Sequence, residues 1–280
     1  MRCESSAAKV RVSHPEKIIF PEVGLRRIDL MSYYEQIAPR MLPYLKGRAL
    51  TIIRWPDGIE GPRFYQRHPA PQTPLLISDA GTLIQWVAWG AVEFHAPLGL
   101  VANPLIHDWA VLDLDPALEI PWVRVQEGAG IVAEFFNLCA IPFGLKTSGK
   151  RGVHFFIPLE STPAHVIVYW MQRLATLLCD GFPERFTVER IKSRRGNRIY
   201  LDYLQNGQTR TMAAIYSLRA SRVASVSTPV RLEELAHPPD YWTPKRVLAQ
   251  RAHQDDLWGA LAIPIDLGHV LRQRKLLRDT

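Results

Sequence analysis

Two short apolar segments that deliver carboxylates constrain this chain more than any other feature of its sequence. The first, Trp109–Pro116, carries Asp113 and Asp115, and the second, residues 198–202, ends in Asp202. Both are typical of strands, and on a strand Asp113 and Asp115 share one face about 7 Å apart. Carboxylates this close repel each other unless a cation lies between them, and oxygen ligands suit Mg²⁺ or Mn²⁺.

A basic turn bounded by glycines is the second informative feature. The segment Lys146–His154 carries Ser148, Lys150 and Arg151 between two predicted strands. A turn with a hydroxyl, two cations and free backbone N–H groups can bind an anion, and His154 is expected to project back towards it. Taken alone, Lys150 and Arg151 are better interpreted as the tip of a solvated loop. The alternative for His154 is a core histidine with a backbone partner. Together with the acidic pair, the turn fits a nucleoside triphosphate better.

The order of these motifs resembles the archaeo-eukaryotic primase superfamily. It is most similar to the polymerase domain of bacterial ATP-dependent DNA ligase D, which acts in non-homologous end joining. The resemblance covers nearly the whole chain, and its motifs are Ser13–Pro21, Tyr33-Tyr34, Gly47–Gly58, Glu93–His95, Leu112–Pro116, Lys146–Gly149, Leu201–Asn206 and Tyr216–Ala220. It implies an α/β (α+β) primase-polymerase module, with a mostly antiparallel catalytic sheet flanked by helices and a smaller N-terminal part packed on it.

The predicted organisation is a flexible tail over residues 1–12, followed by a single primase-polymerase domain over residues 13–280. Its expected parts are N-terminal (about 13–90), catalytic (about 91–228) and basic with prolines (about 229–280). Hydrophobic periodicity predicts helices over 29–45, with Asp29 as cap, and over 82–89, 121–140 and 163–178. The catalytic sheet is expected from strands at 109–114, 143–147, 153–158 and 198–203, with 213–219 and 223–226 at its edge.

The resemblance implies two metal ions, Mn²⁺ or Mg²⁺, on Asp113, Asp115 and Asp202. Without the resemblance, Asp202 is better interpreted as a strand-end carboxylate paired with Arg198. The residues implied for the incoming nucleotide are His95, Ser148, Arg151, His154, Arg195, Gln205 and Arg219. Arg194 is the alternative to its neighbour Arg195. Lys150 is expected to compensate for Ile53, which occupies a position where some relatives carry a lysine.

The resemblance also implies contacts with DNA. Lys17 and Arg27 match a pair of lysines that binds the downstream 5′-phosphate, and Phe64 and Tyr65 match aromatics that stack on the template. The alternatives are a solvated turn for Lys17, a pair with Asp29 for Arg27, and a core position for Tyr65.

Composition agrees with a polyanionic partner. The chain has 280 residues, a formal net charge of +7 and a pI of about 9.4, which favours nucleic acid. Its three cysteines show no metal-ligand spacing, so reduced thiols are expected. No run of about 18 apolar residues and no signal-peptide core is present, so no membrane contact and a cytoplasmic, nucleoid-associated location are predicted.

The sequence therefore predicts a template-directed nucleotidyltransferase that prefers ribonucleotides, fills gaps and extends ends in double-strand-break repair by non-homologous end joining. Expected partners are DNA gaps or ends with a 5′-phosphate, nucleoside triphosphates, Ku and a separate DNA ligase, because no Lys-x-Asp-Gly ligase motif is present. One alternative is a catalytically silent DNA-end-binding module, which the three aspartates disfavour. The other is a metal-dependent nuclease, which would not need the anion turn.

Overall fold

The structure is a computed structural model that describes residues 10–254 and 256–277. Of the tail predicted over residues 1–12, residues 1–9 lie outside the described residues. The chain divides into two compact units that interleave in sequence. Unit 1 comprises the chain up to Pro97 with Thr211–Thr228 and Pro239–Asp256, and unit 2 comprises Leu98–Arg210, Pro229–Pro238 and the chain from Leu257. The predicted division of one domain near residues 90 and 228 stays a prediction.

Groups of two or three strands separate most of the helices along the described chain. The strands are β1 (Ile18–Phe20), β2 (Leu25–Arg26), β3 (Thr51–Arg54), β4 (Phe64–Gln66), β5 (Ala91–Ala96), β6 (Gly99–Leu100), β7 (Asn103–Pro116), β8 (Gly144–Thr147), β9 (Val153–Pro163), β10 (Phe186–Thr187), β11 (Ile199–Asp202) and β12 (Met212–Ala213). The α-helices are α1 (Arg27–Leu45), α2 (Ala80–Ala88), α3 (Trp122–Leu138), α4 (Ala164–Gly181), α5 (Pro244–Arg251) and α6 (Leu267–Gln273).

Unit 1 is built on an antiparallel sheet in the order β12-β5-β3-β4, and α1 packs against α2 and α5. Helix α1 begins with a capping box in which the carboxylate of Asp29 accepts from the backbone N–H of Arg26 at 2.9 Å. The prediction that Asp29 is the cap is therefore wrong by three residues. Arg26 takes the cap position because Asp29 reaches back to it from the first turn.

Unit 2 is built on the sheet β10-β11-β7-β9-β8, in which only the short β10–β11 pair is parallel among these neighbours. Helices α3 and α4 pack on β7. Towards the end of β7, Leu112 and Leu114 are fully buried, while the alternating Asp113 and Asp115 are half-buried. The pleat thus sends the leucines into the core and the carboxylates to the other face.

The predicted fold class is confirmed, and so are most of the predicted elements. The four predicted helices correspond to α1–α4, and the four predicted catalytic strands to β7, β8, β9 and β11. The placement of residues 213–219 and 223–226 at the edge of the catalytic sheet is wrong. β12 pairs with β5 in unit 1, and the segment that follows stays there because Ala214 donates to the carbonyl of Phe94 at 2.9 Å.

Cys139 and Cys179 are free thiols, and Cys3 lies outside the described residues. No helix in residues 10–254 and 256–277 combines the length and the apolar character that crossing a bilayer requires.

Candidate active site

A row of polar side chains crosses the sheet of unit 2 where β7 becomes acidic. Asp113 of β7 lies opposite Asp202 of β11 on one side and opposite His154 of β9 on the other. His154 in turn lies opposite Lys146 of β8. Residues that are directly opposite in antiparallel strands project from the same face, with Cβ atoms about 4.5–5.5 Å apart. The register therefore aligns Asp202, Asp113, His154 and Lys146 on one face.

Asp113 lies beside a buried histidine. The Nε2 atom of His154 is 3.5 Å from Oδ1 of Asp113, and His154 is only 4% exposed. The ring thus lies beside the first aspartate, and its projection towards the anion turn stays a prediction. The cause of this proximity is the antiparallel register of β7 and β9, which makes His154 the cross-strand neighbour of Asp113.

Asp202 is oriented by its own neighbourhood. Its carboxylate accepts from Gln205 Nε2 at 2.8 Å, from the backbone N–H of Leu204 at 3.0 Å and from the hydroxyl of Tyr200 at 3.3 Å. Burial raises the pKa of Tyr200, and the negative charge of Asp202 raises it further. The tyrosine therefore stays protonated and donates to the aspartate. Gln205, predicted as a nucleotide contact, lies against Asp202.

The interpretation of Asp202 as a partner of Arg198 is wrong. Arg198 donates instead to the backbone carbonyls of Arg195 and Arg194, at 2.8 and 3.0 Å. These bonds fix the loop before β11, and the carboxylate of Asp202 accepts from Gln205 instead.

Arg195 is the cation closest to the second aspartate of β7. Its Nη1 lies 3.2 Å from Oδ2 of Asp115, and its guanidinium stacks 3.8 Å from the ring centre of Tyr200. Arg195 is only 7% exposed, whereas Arg194 is exposed. Of the two adjacent arginines, the structure therefore places Arg195 at the carboxylate.

The three aspartates have the donor chemistry of a divalent-cation site, since carboxylate oxygens are the ligands that Mg²⁺ and Mn²⁺ prefer. Asp113 and Asp202 lie opposite each other, and Asp115 already attracts the cation of Arg195. Over the described residues, however, no group of three or more His, Cys, Asp or Glu side chains is arranged to hold a metal ion. The residue types fit such an ion.

The anion turn is organised around its own serine. The hydroxyl of Ser148 accepts from the backbone N–H groups of Lys150 and Gly152 at 3.1 and 3.0 Å. The expectation that these groups are free to bind an anion is wrong for these two, because the serine side chain satisfies them. Arg151 donates to the carbonyl of Pro116 at 3.0 Å, which ties the turn to the end of β7.

A glycine keeps this turn close to β7. A Cβ atom at Gly152 would lie 2.3 Å from the carbonyl oxygen of Leu114, far inside van der Waals contact. Only glycine therefore allows the turn to approach the strand that carries both aspartates.

Unit 1 holds a second cluster of predicted nucleotide contacts. Glu93 is 2% exposed, and its Oε2 lies 2.8 Å from His95 Nε2 and 3.1 Å from Arg219 Nε. Its Oε1 accepts from the backbone N–H of Ala220 at 2.8 Å. Burial raises the pKa of Glu93, but the hydrogen bond from His95 and the charge of Arg219 outweigh burial and lower it to about 2. The carboxylate is therefore ionised at neutral pH.

The two predicted phosphate-binding cations converge on one loop of unit 1. Lys17 Nζ lies 2.6 Å from Asp57 Oδ1 and 3.3 Å from the carbonyl of Pro56. Arg27 donates to the carbonyls of Ser13 and Pro56 at 2.6 and 2.7 Å, and burial lowers its pKa. The alternative for Arg27 is therefore wrong, since Arg26, not Arg27, pairs with Asp29 at 2.9 Å. Lys17 forms its ion pair at the surface, as the alternative of a solvated turn allows.

Two exposed aromatic side chains mark strand β4. Phe64 and Tyr65 are 54% and 58% exposed, and the guanidinium of Arg63 lies 5.5 Å from the ring centre of Tyr65. The core position considered for Tyr65 is therefore wrong. Exposed aromatic rings beside a cation are suited to stacking on nucleic-acid bases.

Sequence reasoning gave no role to four residues that contact or align with the site residues or their strands: Lys146, Tyr200, Asn206 and Glu93. The sequence does indicate that Glu93 lies near His95, because residues two positions apart on a strand project from the same face. Lys146 is 0% exposed and joins the row only through the register of β8 and β9, which the sequence does not state.

The chain belongs to the family of the LigD primase-polymerase domain, whose model matches residues 26–258. The resemblance predicted from the motifs is thereby confirmed. The chain is 32% identical to the multifunctional non-homologous end joining protein LigD of Pseudomonas aeruginosa, over 92% of this chain and 33% of that protein. It is 28% identical to the bifunctional non-homologous end joining protein LigD of Bacillus subtilis, over 81% of this chain and 39% of that protein.

Among solved structures, the chain is similar to the polymerase domain from Mycobacterium tuberculosis ligase D in complex with DNA. The TM-score is 0.82 and the identity 27%, over 90% of this chain and 97% of that chain. The match extends over nearly all of that domain, whereas the chain spans only about a third of the two curated relatives.

Proposed function

We propose that this chain is a template-directed nucleotidyltransferase that acts at DNA gaps and ends in non-homologous end joining. The observation that carries the proposal is the row of Asp202, Asp113 and His154 across one sheet, in a chain that belongs to the LigD primase-polymerase domain family. A silent DNA-binding module would not need two ionisable strand residues facing each other beside a buried histidine.

Asp113, Asp115 and Asp202 are proposed to hold two divalent ions, Mn²⁺ or Mg²⁺. When bound, such ions lower the pKa of an attacking hydroxyl and neutralise charge that develops on a triphosphate. The side chains that now contact these carboxylates position them: Gln205 and Tyr200 at Asp202, and Arg195 at Asp115.

The residues proposed to bind the nucleotide are those that the family resemblance implies. They are Ser148, Lys150, Arg151, His154, Arg195, Gln205, His95 and Arg219. The arginines offer forked donors for phosphate oxygens, and the histidines offer ring nitrogens that can bond to hydroxyl or phosphate oxygens. A preference for ribonucleotides follows if one of these groups bonds to the 2′-hydroxyl, because a deoxynucleotide would leave it unpaired.

Unit 1 is proposed to bind the DNA. Lys17 and Arg27 would contact a 5′-phosphate, and Phe64 and Tyr65 would stack on template bases. The similar polymerase domain of M. tuberculosis ligase D is described in complex with DNA. Ku and a DNA ligase activity, on this or another polypeptide, are proposed as partners, in keeping with the similarity to proteins named for non-homologous end joining.

The experiment is incubation of the chain with a gapped, 5′-phosphorylated duplex, Mn²⁺ and each of the eight common ribo- and deoxyribonucleotides in turn. The proposal predicts that only the template-complementary nucleotide extends the primer, and that its ribonucleotide form is inserted faster. Tight DNA binding without extension would support the silent module instead. Shortening of the DNA strands without any nucleotide would support a nuclease.

A further inference from the structure

Glu93 is a buried ionised group to which the proposed chemistry assigns no role. An isolated carboxylate is costly to bury, so its position is explained by what it binds. Three nitrogen atoms approach it within 3.1 Å: His95 Nε2, Arg219 Nε and the backbone nitrogen of Ala220. The first two belong to side chains that are proposed to bind the nucleotide, and they share one oxygen atom, Oε2.

A tyrosine fixes the two backbone segments that carry this cluster. The hydroxyl of Tyr34 donates to the carbonyl of Val92 at 2.7 Å and accepts from the backbone N–H of Leu218 at 2.9 Å. Val92 and Leu218 directly precede Glu93 and Arg219 in the chain. Tyr34 is fully buried. Its two hydrogen bonds therefore hold the backbone next to Glu93 and the backbone next to Arg219 at a fixed distance from each other.

We propose that Glu93 is the positioning residue that orients His95 and Arg219 for the incoming nucleotide. The inference rests on the proposed function of those two side chains. A carboxylate that accepts from Nε2 keeps a proton on that atom, so Nδ1 is the ring nitrogen that can accept from a nucleotide hydroxyl. The contact with Arg219 uses Nε, whereas the end-on fork that suits phosphate is formed by Nη1 and Nη2.

A carboxylate suits this arrangement, because it accepts from the backbone N–H of Ala220 and from His95 Nε2 and pairs with the cation of Arg219. In Glu93→Gln, an amide oxygen that faces Ala220 turns the NH₂ group towards His95 and Arg219. The opposite orientation turns the NH₂ group towards the N–H of Ala220. Both orientations remove the charge that pairs with Arg219, and the second also breaks the hydrogen bond with Ala220, so the glutamine loses at least one partner.

The test is steady-state insertion of a single ribonucleotide into a gapped duplex. Glu93→Gln is expected to raise the KM for the nucleotide at least tenfold, with kcat changed less than threefold and DNA affinity less than twofold. Glu60→Gln, an exposed carboxylate of the same unit, is the matched control and should keep the wild-type KM. A wild-type KM in Glu93→Gln would overturn the inference.

A mutant cycle separates a positioning role from an independent one. In the His95→Ala/Arg219→Ala background, Glu93→Gln should change the KM by less than twofold, because the residues through which it acts are gone. A full tenfold effect in that background would refute the inference. If Glu93→Gln does not fold, Glu93→Asp keeps the charge, withdraws the oxygens by one methylene and carries the same prediction.

A spectroscopic readout is independent of activity. Nitrogen-15 NMR of the His95 ring should show a proton on Nε2 in the wild type and a redistribution towards Nδ1 in Glu93→Gln. A wild-type ring protonated only on Nδ1 would overturn the positioning role whatever the activity. Absence of insertion by the wild type, with the expected ring protonation, would instead refute the proposed function alone.

Discussion

Asn206 is expected to be the single polar residue whose loss damages the catalytic sheet most. It is 0% exposed, and its amide bonds to Val111 of β7 as a neighbouring strand would. Oδ1 accepts from the N–H of Val111 at 2.8 Å, and Nδ2 donates to the carbonyl of Val111 at 2.8 Å. Nδ2 also donates to the carbonyl of Tyr203 at 2.7 Å. β11 ends at Asp202, so the side chain continues the pairing of β7 after the backbone has turned away.

The magnitude follows from these three bonds. Asn206→Ala leaves three backbone groups without the partner they have now, and each group left unsatisfied in a buried place costs about 1–3 kcal/mol. Partial relaxation and entry of water lower the sum, so we expect a loss of about 3–5 kcal/mol in the free energy of unfolding. Chemical denaturation should show this as a lower midpoint with an unchanged slope.

The control is Asn197→Ala, because Asn197 is exposed in the same unit, and its effect should stay within about 0.5 kcal/mol. Asn206→Asp is informative as well, since it keeps an acceptor for the N–H of Val111 but points an oxygen at two carbonyls. It should be nearly as damaging as alanine. A loss below about 1 kcal/mol in Asn206→Ala would refute the idea that this amide holds the two strands together.

Three further predictions test the sites. Asp113→Ala or Asp115→Ala should lower primer extension by several powers of ten and leave DNA affinity within threefold; extension within tenfold of wild type in both would contradict the metal assignment. Wild type should bind a 5′-phosphorylated gap about 1–3 kcal/mol more tightly than an unphosphorylated one, and Lys17→Ala should lose most of that preference in a salt-dependent manner. The pKa of Glu93 is lowered from 4.5 to about 2, so its contribution to stability is present above about pH 4.5 and is lost as the pH falls towards 2. Between pH 6 and pH 2.5, wild type should therefore lose about 2–3 kcal/mol more stability than Glu93→Gln, measured by urea unfolding.

Local patterns predicted the elements of this fold well, because they depend on neighbours in sequence. The alternation of Leu112, Asp113, Leu114 and Asp115 determines which face of β7 is apolar, and the helical spacing of apolar residues predicted α3 and α4. The sequence did not indicate to which of the two sheets a strand belongs. Residues 213–219 look like an edge strand, yet their sheet is decided by a hydrogen bond to Phe94, more than a hundred residues away.

The candidate site shows the same division. Asp113, Asp115 and Asp202 were identified from their strands and from the family resemblance. The side chains that contact these aspartates depend on strand register and on loop conformation. The local sequence pattern does not indicate either. Lys146 enters the row through the pairing of β8 with β9, and Gln205 reaches Asp202 because the chain forms a tight turn directly after β11.

Charge balance explains why the sequence predicted a cation at these carboxylates but did not decide between an arginine and a metal ion. Carboxylates close together on one sheet face require compensating positive charge or donated hydrogen bonds. Here Arg195 lies against Asp115, His154 lies against Asp113, and donors from Gln205 and Tyr200 converge on Asp202. A protein cation and a metal ion meet the same electrostatic requirement at Asp115, so repulsion alone cannot distinguish them. The distinction rests on ligand number, since an arginine satisfies one carboxylate whereas a divalent ion draws several oxygens together.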